Sequence, residues 1–114
     1  MKQGPMSVIT GYHAHVYFDA ATRGQAEKLC TDAGRTFGMK VGRMHDKPVG
    51  PHPRGSCQLT IGIDQFAKAI PWLIENRHGL TIFTHAETGH ALRDHTDHVL
   101  WLGPSEPLKL SALG

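Results

Sequence analysis

The sequence VITGYHAHVYF, residues 8 to 18, predicts a β-strand, because it is rich in β-branched and aromatic residues and alternates over its second half. Successive side chains of a strand point to opposite faces. One face then holds Tyr12, Ala14, Val16 and Phe18, and the other holds His13, His15 and Tyr17. We predict that the first face is core and that the second is a functional site.

A helix is predicted over residues 20 to 33, with Asp19 or Thr22 as its cap and Gly34 as its end, because apolar residues recur there at helical spacing. The stretch FGMKVGRMH, residues 37 to 45, predicts a second strand. The loop KPVGPHPRG that follows contains three prolines and two glycines, so it continues neither element.

The second half of the chain repeats this alternation of strands and helices. Residues 56 to 63, SCQLTIGI, alternate cleanly and predict a third strand. A helix is predicted from Asp64 to about residue 77, with a kink or late start caused by Pro71. A fourth strand, LTIFTH at 80 to 85, leads through a polar loop, ETGHALRD, to a fifth strand, HVLWLG at 98 to 103.

The order β-α-β-β-α-β with an added strand matches the ferredoxin-like split βαβ sandwich, an α+β fold with an antiparallel sheet and two helices on one face. We predict a single domain over residues 1–114, with an extended tail at 104–114. The other sheet face is expected to be open. A chain this short with one face uncovered is also predicted to form a homodimer.

Composition excludes several classes of protein. With 39% hydrophobic and 19% charged residues the chain is neither disordered nor a membrane protein, and its scattered Lys and Arg residues do not indicate nucleic-acid binding. The N-terminus has no secretory pattern, so a cytoplasmic location is expected, with Cys30 and Cys57 as buried thiols. Nine histidines can supply several neutral imidazoles, which suit a borderline-soft divalent metal.

Several of these histidines lie where metal ligands are expected. His13 and His15 leave the same face of one strand. His52 lies between two prolines that stiffen its loop, and His85 ends the fourth strand. The segment DHTDH, residues 94 to 98, adds two imidazoles and two carboxylates. The other histidines, His45, His78 and His90, are expected on the surface.

Five motifs together resemble a known family. They are GYHAHVYFD at 11 to 19, GPHP at 50 to 53, PWLIENR at 71 to 77, THAETGHALRDHT at 84 to 96 and LWLG at 100 to 103. In order and spacing, over nearly the whole chain, they are similar to the DOPA 4,5-dioxygenase family of ferredoxin-like aromatic-ring-cleaving enzymes.

The resemblance implies extradiol cleavage of a catechol such as DOPA, with molecular oxygen and non-haem iron(II), although purified protein can carry zinc or nickel instead. It places the metal ligands at His15, His52 and His85. Three protein ligands leave positions open for substrate and oxygen. The reaction also needs an acid and a base, for which His95 and His98 are the candidates.

Alternatives remain open for both the ligand set and the function. The usual iron(II) triad contains a carboxylate, so Glu87 is an alternative ligand, and His13 is another. The chain could also be a dimeric ferredoxin-like module that binds a small aromatic ligand without catalysis, or a cofactor-independent monooxygenase. Neither of these needs His15, His52 and His85 to converge on one point.

Overall fold

A computed structural model describes residues 8 to 113. Its strands are β1 (Gly11–Phe18), β2 (Lys40–Val41), β3 (Gly55–Gly62), β4 (Ile82–Glu87) and β5 (Val99–Leu102), and its helices are α1 (Arg23–Phe37), α2 (Phe66–Asn76) and α3 (Ala91–Thr96). Short 3-10 turns lie at Ala20–Thr22 and Leu110–Leu113.

The five strands form one antiparallel sheet in the order β2-β3-β1-β4-β5, with β1 at its centre. Helices α1 and α2 pack against one another and against this sheet. The predicted ferredoxin-like α+β fold is therefore confirmed, with β5 as the added edge strand.

The hydrophobic core lies between the sheet and these two helices. It contains the predicted apolar face of β1 together with the predicted stripe of α1. The core residues from these two elements are Ala14, Val16, Phe18, Ala26, Leu29, Cys30 and Ala33. Both cysteines are buried and free, as predicted.

Helix α1 continues past Gly34, where the sequence pattern predicted its end. Gly38, with φ of 66°, adopts the left-handed conformation that ends the helix. A Cβ placed on Gly34 would lie 2.6 Å from Val41 Cγ2, so this glycine permits close packing of the helix on β2. The longer helix leaves only Lys40–Val41 for the second strand, in place of residues 37 to 45.

The predicted helix from Asp64 begins instead at Phe66 and continues through Pro71. Gln65 holds the turn before it, because its side-chain Oε1 accepts a hydrogen bond from the Gly62 amide at 2.9 Å and its Nε2 donates to the Phe37 carbonyl at 2.7 Å. Within residues 8 to 113 no helix is long and apolar enough to cross a membrane.

The sheet face opposite α1 and α2 is not open as expected. The loop after β2 and the C-terminal tail cover it and bind each other: the Lys109 amide donates to the Pro51 carbonyl at 2.8 Å, and Arg54 donates twice to the Glu106 carboxylate, at 3.0 and 2.7 Å. Of the tail predicted to be extended, residues 110 to 113 form a 3-10 turn that packs against α3. Because the chain covers this face itself, an uncovered sheet face is no longer an argument for a homodimer. The homodimer stays a prediction.

Candidate functional site

The register of β1 against β4 gathers imidazoles on the covered face. His13 lies directly opposite His85, and His15 lies directly opposite Phe83. Cross-strand partners share a face of the sheet, so the side chains of His13, His15 and His85 all leave the same side. His15 and His85 are buried, whereas the side chain of His13 is 26% exposed.

These three histidines are close enough to share one metal ion. The Nε2 atoms of His15 and His85 are 3.1 Å apart. Two nitrogens that bind one metal at about 2.0–2.1 Å lie about 3.0 Å apart in octahedral and about 3.4 Å apart in tetrahedral geometry. One ligand atom from each of His13, His15 and His85 lies within 4.8 Å of the other two. The donor set therefore fits a metal.

The outer nitrogens of two of these rings have hydrogen-bond partners that orient them. Nδ1 of His85 donates to the Ala86 carbonyl at 3.0 Å, and Nδ1 of His13 lies 2.6 Å from Glu87 Oε1. Such contacts fix the tautomer of a metal-binding histidine and leave its Nε2 lone pair free. Glu87, the alternative carboxylate ligand, thus binds an imidazole in this structure.

Burial keeps these imidazoles neutral at neutral pH. It lowers the pKa of His15 well below its ordinary value, and it lowers the pKa of His85 to about 4, helped by the neighbouring His95. Burial also lowers the pKa of His13, although Glu87 opposes that shift. A neutral imidazole offers the lone pair that a metal needs.

His52 lies beside this group without being part of it. Its ring centroid is 4.1 Å from that of His15, and its Nδ1 is 2.8 Å from the Tyr17 hydroxyl. Burial lowers the pKa of His52 to about 4. The structure therefore brings together two of the three predicted ligands, His15 and His85, at mutual ligand distance and adds His13 as the third member.

The two histidines of the DHTDH segment go to different places. His95, on α3, donates from Nδ1 to the Ala91 carbonyl at 2.7 Å, and its ring centroid is 4.0 Å from that of His85. His98 instead binds Asp94 Oδ1 at 2.9 Å and lines a cavity of about 240 Å³ with His85, Phe66 and Leu100. Within residues 8 to 113, His95 makes a ring contact with His85, and His98 makes none with His13, His15 or His85.

The residues after β4 that were expected to form a polar loop form helix α3 instead. This helix explains why His95 and His98 have different surroundings. Asp94 is buried and ties α3 to the preceding turn, because the Thr88 amide and hydroxyl both donate to its carboxylate. Burial alone would raise the pKa of Asp94, but these hydrogen bonds and that of His98 lower it to about 2. The sequence placed Tyr17 on the predicted site face but gave it no contact, and it did not predict the Thr88–Asp94 contact, whose sequence signal is a threonine six residues before a carboxylate.

We expect metal-free protein to lose stability as the pH falls from about 6.5 towards about 4. The pKa of His52 and of His85 is about 4 in the folded state against an ordinary value of 6.5. Between these values the unfolded chain binds protons that the folded chain does not, so the free energy of unfolding decreases as the pH falls. The two residues together account for on the order of 5 kcal/mol, which is comparable with the whole stability of a small domain.

This expectation is checked by measuring Tm in a chelating buffer at several pH values. The His85→Gln variant should show a flatter dependence of Tm on pH than the wild type, whatever its stability at neutral pH. A wild-type Tm that stays constant between about pH 7 and about pH 5 would contradict the expectation.

Comparison with known proteins gives the family of this chain. Residues 12–112 match the DOPA 4,5-dioxygenase family. The chain is 35% identical to a DOPA 4,5-dioxygenase of Amanita muscaria over 94% of this chain and 51% of that protein. It is 32% identical to an uncharacterized 21.2 kDa protein of Botryotinia fuckeliana over 88% of this chain and 61% of that protein. The chain thus spans about half to three fifths of the length of these two relatives.

A solved structure is similar over almost the entire chain. The crystal structure of a Nostoc punctiforme protein, described as a candidate dioxygenase, superposes with a TM-score of 0.92 at 45% identity, covering 97% of this chain and 96% of that one. From the match over residues 12–112 and these relatives, the chain belongs to the DOPA 4,5-dioxygenase family.

Proposed function

We propose that the chain is an oxygenase that cleaves the aromatic ring of a catechol such as DOPA by the extradiol route, with dioxygen and iron(II). The observation that carries this proposal is the convergence of His13, His15 and His85, with the Nε2 atoms of the last two 3.1 Å apart. A non-catalytic binding module or a cofactor-independent monooxygenase has no need for such convergence.

The chemistry of the donors supports a metal of the iron(II), zinc or nickel type. Neutral imidazole binds all three, and three protein ligands leave coordination positions open. When bound, iron(II) supplies a redox-active Lewis acid that both catechol oxygens and dioxygen can approach. We propose iron(II) as the working metal, with zinc or nickel as substitutes that purified protein can carry.

We propose His15 and His85 as two of the ligands, as the family resemblance implies, and His13 as the third in place of His52. Mutual ligand distance within the group supports His13. Its contact with Glu87 supports the same assignment, because a carboxylate behind a metal-binding histidine is a common arrangement. Glu87 then orients a ligand instead of acting as one.

His95 is proposed as the general base that accepts a proton from the catechol. Its Nδ1 is committed as a donor to the Ala91 carbonyl, so its proton is on Nδ1 and its Nε2 carries the lone pair. The ring lies against that of His85, a proposed ligand, and is only partly buried, so substrate can reach it. A base positioned beside the metal group meets the geometric requirement for proton abstraction.

The experiment that tests the function starts from metal-free protein. Iron(II) is added anaerobically, excess iron is removed, and oxygen is admitted with a panel of catechols that includes DOPA. We expect oxygen uptake together with a yellow ring-cleavage product from at least one catechol, and neither in protein that was given zinc. Binding of catechols without oxygen uptake by the iron-loaded protein would favour the non-catalytic module.

A further inference from the structure

The hydrogen bond between Tyr17 and His52 determines which nitrogen of His52 carries a proton. The Tyr17 hydroxyl is 2.8 Å from His52 Nδ1, and Tyr17 is fully buried. Among the described residues, His52 is the hydrogen-bond partner that the structure gives this hydroxyl. A phenol is protonated at neutral pH, so the hydroxyl has a proton to donate.

The described residues do not supply an acceptor for every proton in either direction: one direction leaves the Nε2–H of His52, which is 8% exposed, and the other leaves the hydroxyl proton of Tyr17, which is fully buried. If Tyr17 donates, His52 Nδ1 accepts and the proton of the neutral imidazole lies on Nε2. If His52 donates instead, the buried hydroxyl proton has no acceptor, which is the more costly arrangement. The structure therefore favours the Nε2–H form of His52.

This form of His52 cannot bind a metal. Its Nδ1 lone pair is used by Tyr17, and its Nε2 carries a proton instead of a lone pair. The contrast with His85 is direct, since His85 donates from Nδ1 to a carbonyl and keeps its Nε2 lone pair. His52 also lies outside the group at mutual ligand distance, although its ring contacts that of His15.

The loop holds this N–H in a fixed position. Pro51 and Pro53 restrict the backbone on both sides of His52. The His52 amide donates to the Val49 carbonyl at 3.1 Å, and the tail residue Lys109 donates to the Pro51 carbonyl at 2.8 Å. A donor held in this way needs little reorganisation to receive an oxygen atom of a ligand.

We propose that Tyr17 fixes His52 as a hydrogen-bond donor to an anionic oxygen of the bound catechol, and that His52 is not a metal ligand. This inference rests on the proposed function. The His52 ring contacts that of His15, and the His95 ring contacts that of His85. The donor on His52 and the acceptor on His95 therefore lie next to two different proposed ligands of the same metal. A catechol oxygen that has lost its proton is the chemistry that such a donor binds best.

The first test reads the tautomer directly, by nitrogen-15 NMR of the histidine rings in zinc-loaded protein. We expect His52 to show a protonated Nε2 and an unprotonated Nδ1, and His15 and His85 to show zinc-shifted nitrogens. In the Tyr17→Phe variant, which keeps the ring and removes the hydroxyl, the His52 signals should move towards the Nδ1–H form. A zinc-shifted nitrogen on His52 would overturn the inference.

The second test separates metal binding from catechol binding. Zinc titration of His52→Gln and Tyr17→Phe should give the wild-type affinity, whereas His15→Ala should lose at least about 100-fold. Binding of 4-nitrocatechol to the zinc-loaded variants should weaken by about tenfold, as expected for loss of a hydrogen bond to a charged oxygen. Wild-type catechol affinity in both variants would remove His52 from this role.

The results also distinguish the two proposals. If His15→Ala keeps full zinc affinity, the proposed metal site is wrong. If His15→Ala loses zinc and His52→Gln loses it equally, the metal site stands and the donor role of His52 is wrong. The His90→Ala variant, which changes an exposed histidine at the start of α3, controls for the removal of an imidazole.

Discussion

The His15→Ala variant is expected to lose bound iron(II) and, with it, all ring cleavage. His15 offers an Nε2 atom 3.1 Å from that of His85, and its burial keeps the imidazole neutral, so the substitution removes one of the three imidazoles that would hold the metal. Removing a residue that only orients a ligand already costs about 10- to 100-fold in metal affinity, so we expect more than about 100-fold here. His85→Ala should behave in the same way.

Both variants should remain folded, because the two side chains lie on the sheet face opposite the core between the sheet and α1 and α2. Metal content by elemental analysis, affinity by anaerobic titration and the far-ultraviolet circular dichroism spectrum check these statements together. His90→Ala is the matched control and should keep both metal and fold. Full iron occupancy in His15→Ala or in His85→Ala would refute the proposed ligand set.

The parts of the fold that sequence predicted are those where one face of an element is buried. Strand β1 and helix α1 alternate between apolar and polar residues with clear periods, and their buried faces are as predicted. Helix α3 was missed because ALRDHT has no apolar stripe, and its stability depends on the contact of Asp94 with Thr88. Such a tertiary hydrogen bond leaves no period in the sequence.

The site could be predicted in part for a similar reason. Two histidines on one strand share a face when they are two residues apart. The sequence alone therefore predicts that His13 and His15 lie on the same face. The pairing of His13 with His85 depends on the register between β1 and β4, which a single sequence does not specify. The direction of the Tyr17 and His52 hydrogen bond needs coordinates as well.

We expect the His95→Gln variant to keep iron and catechol binding while its turnover falls by about 10²- to 10⁴-fold, the usual contribution of a positioned proton acceptor. The His95 ring lies 4.0 Å from that of His85, and its Nδ1 donates to the Ala91 carbonyl, which leaves Nε2 as an acceptor beside the metal group. Glutamine keeps a polar side chain of similar length but cannot take a proton at neutral pH. Binding and chemistry should therefore separate in this variant.

The decisive measurement is the single-turnover rate of ring cleavage by iron-loaded protein that already holds catechol, after rapid mixing with oxygen. His98→Gln is the matched control, since it makes the same change three residues later, where the side chain binds Asp94 and, within residues 8 to 113, makes no ring contact with His85. This control should cleave at the wild-type rate, even if the loss of its hydrogen bond lowers stability by about 1 kcal/mol. An unchanged rate in His95→Gln would exclude His95 as the base, and a slow rate in both variants would show that the segment supports the site through its structure.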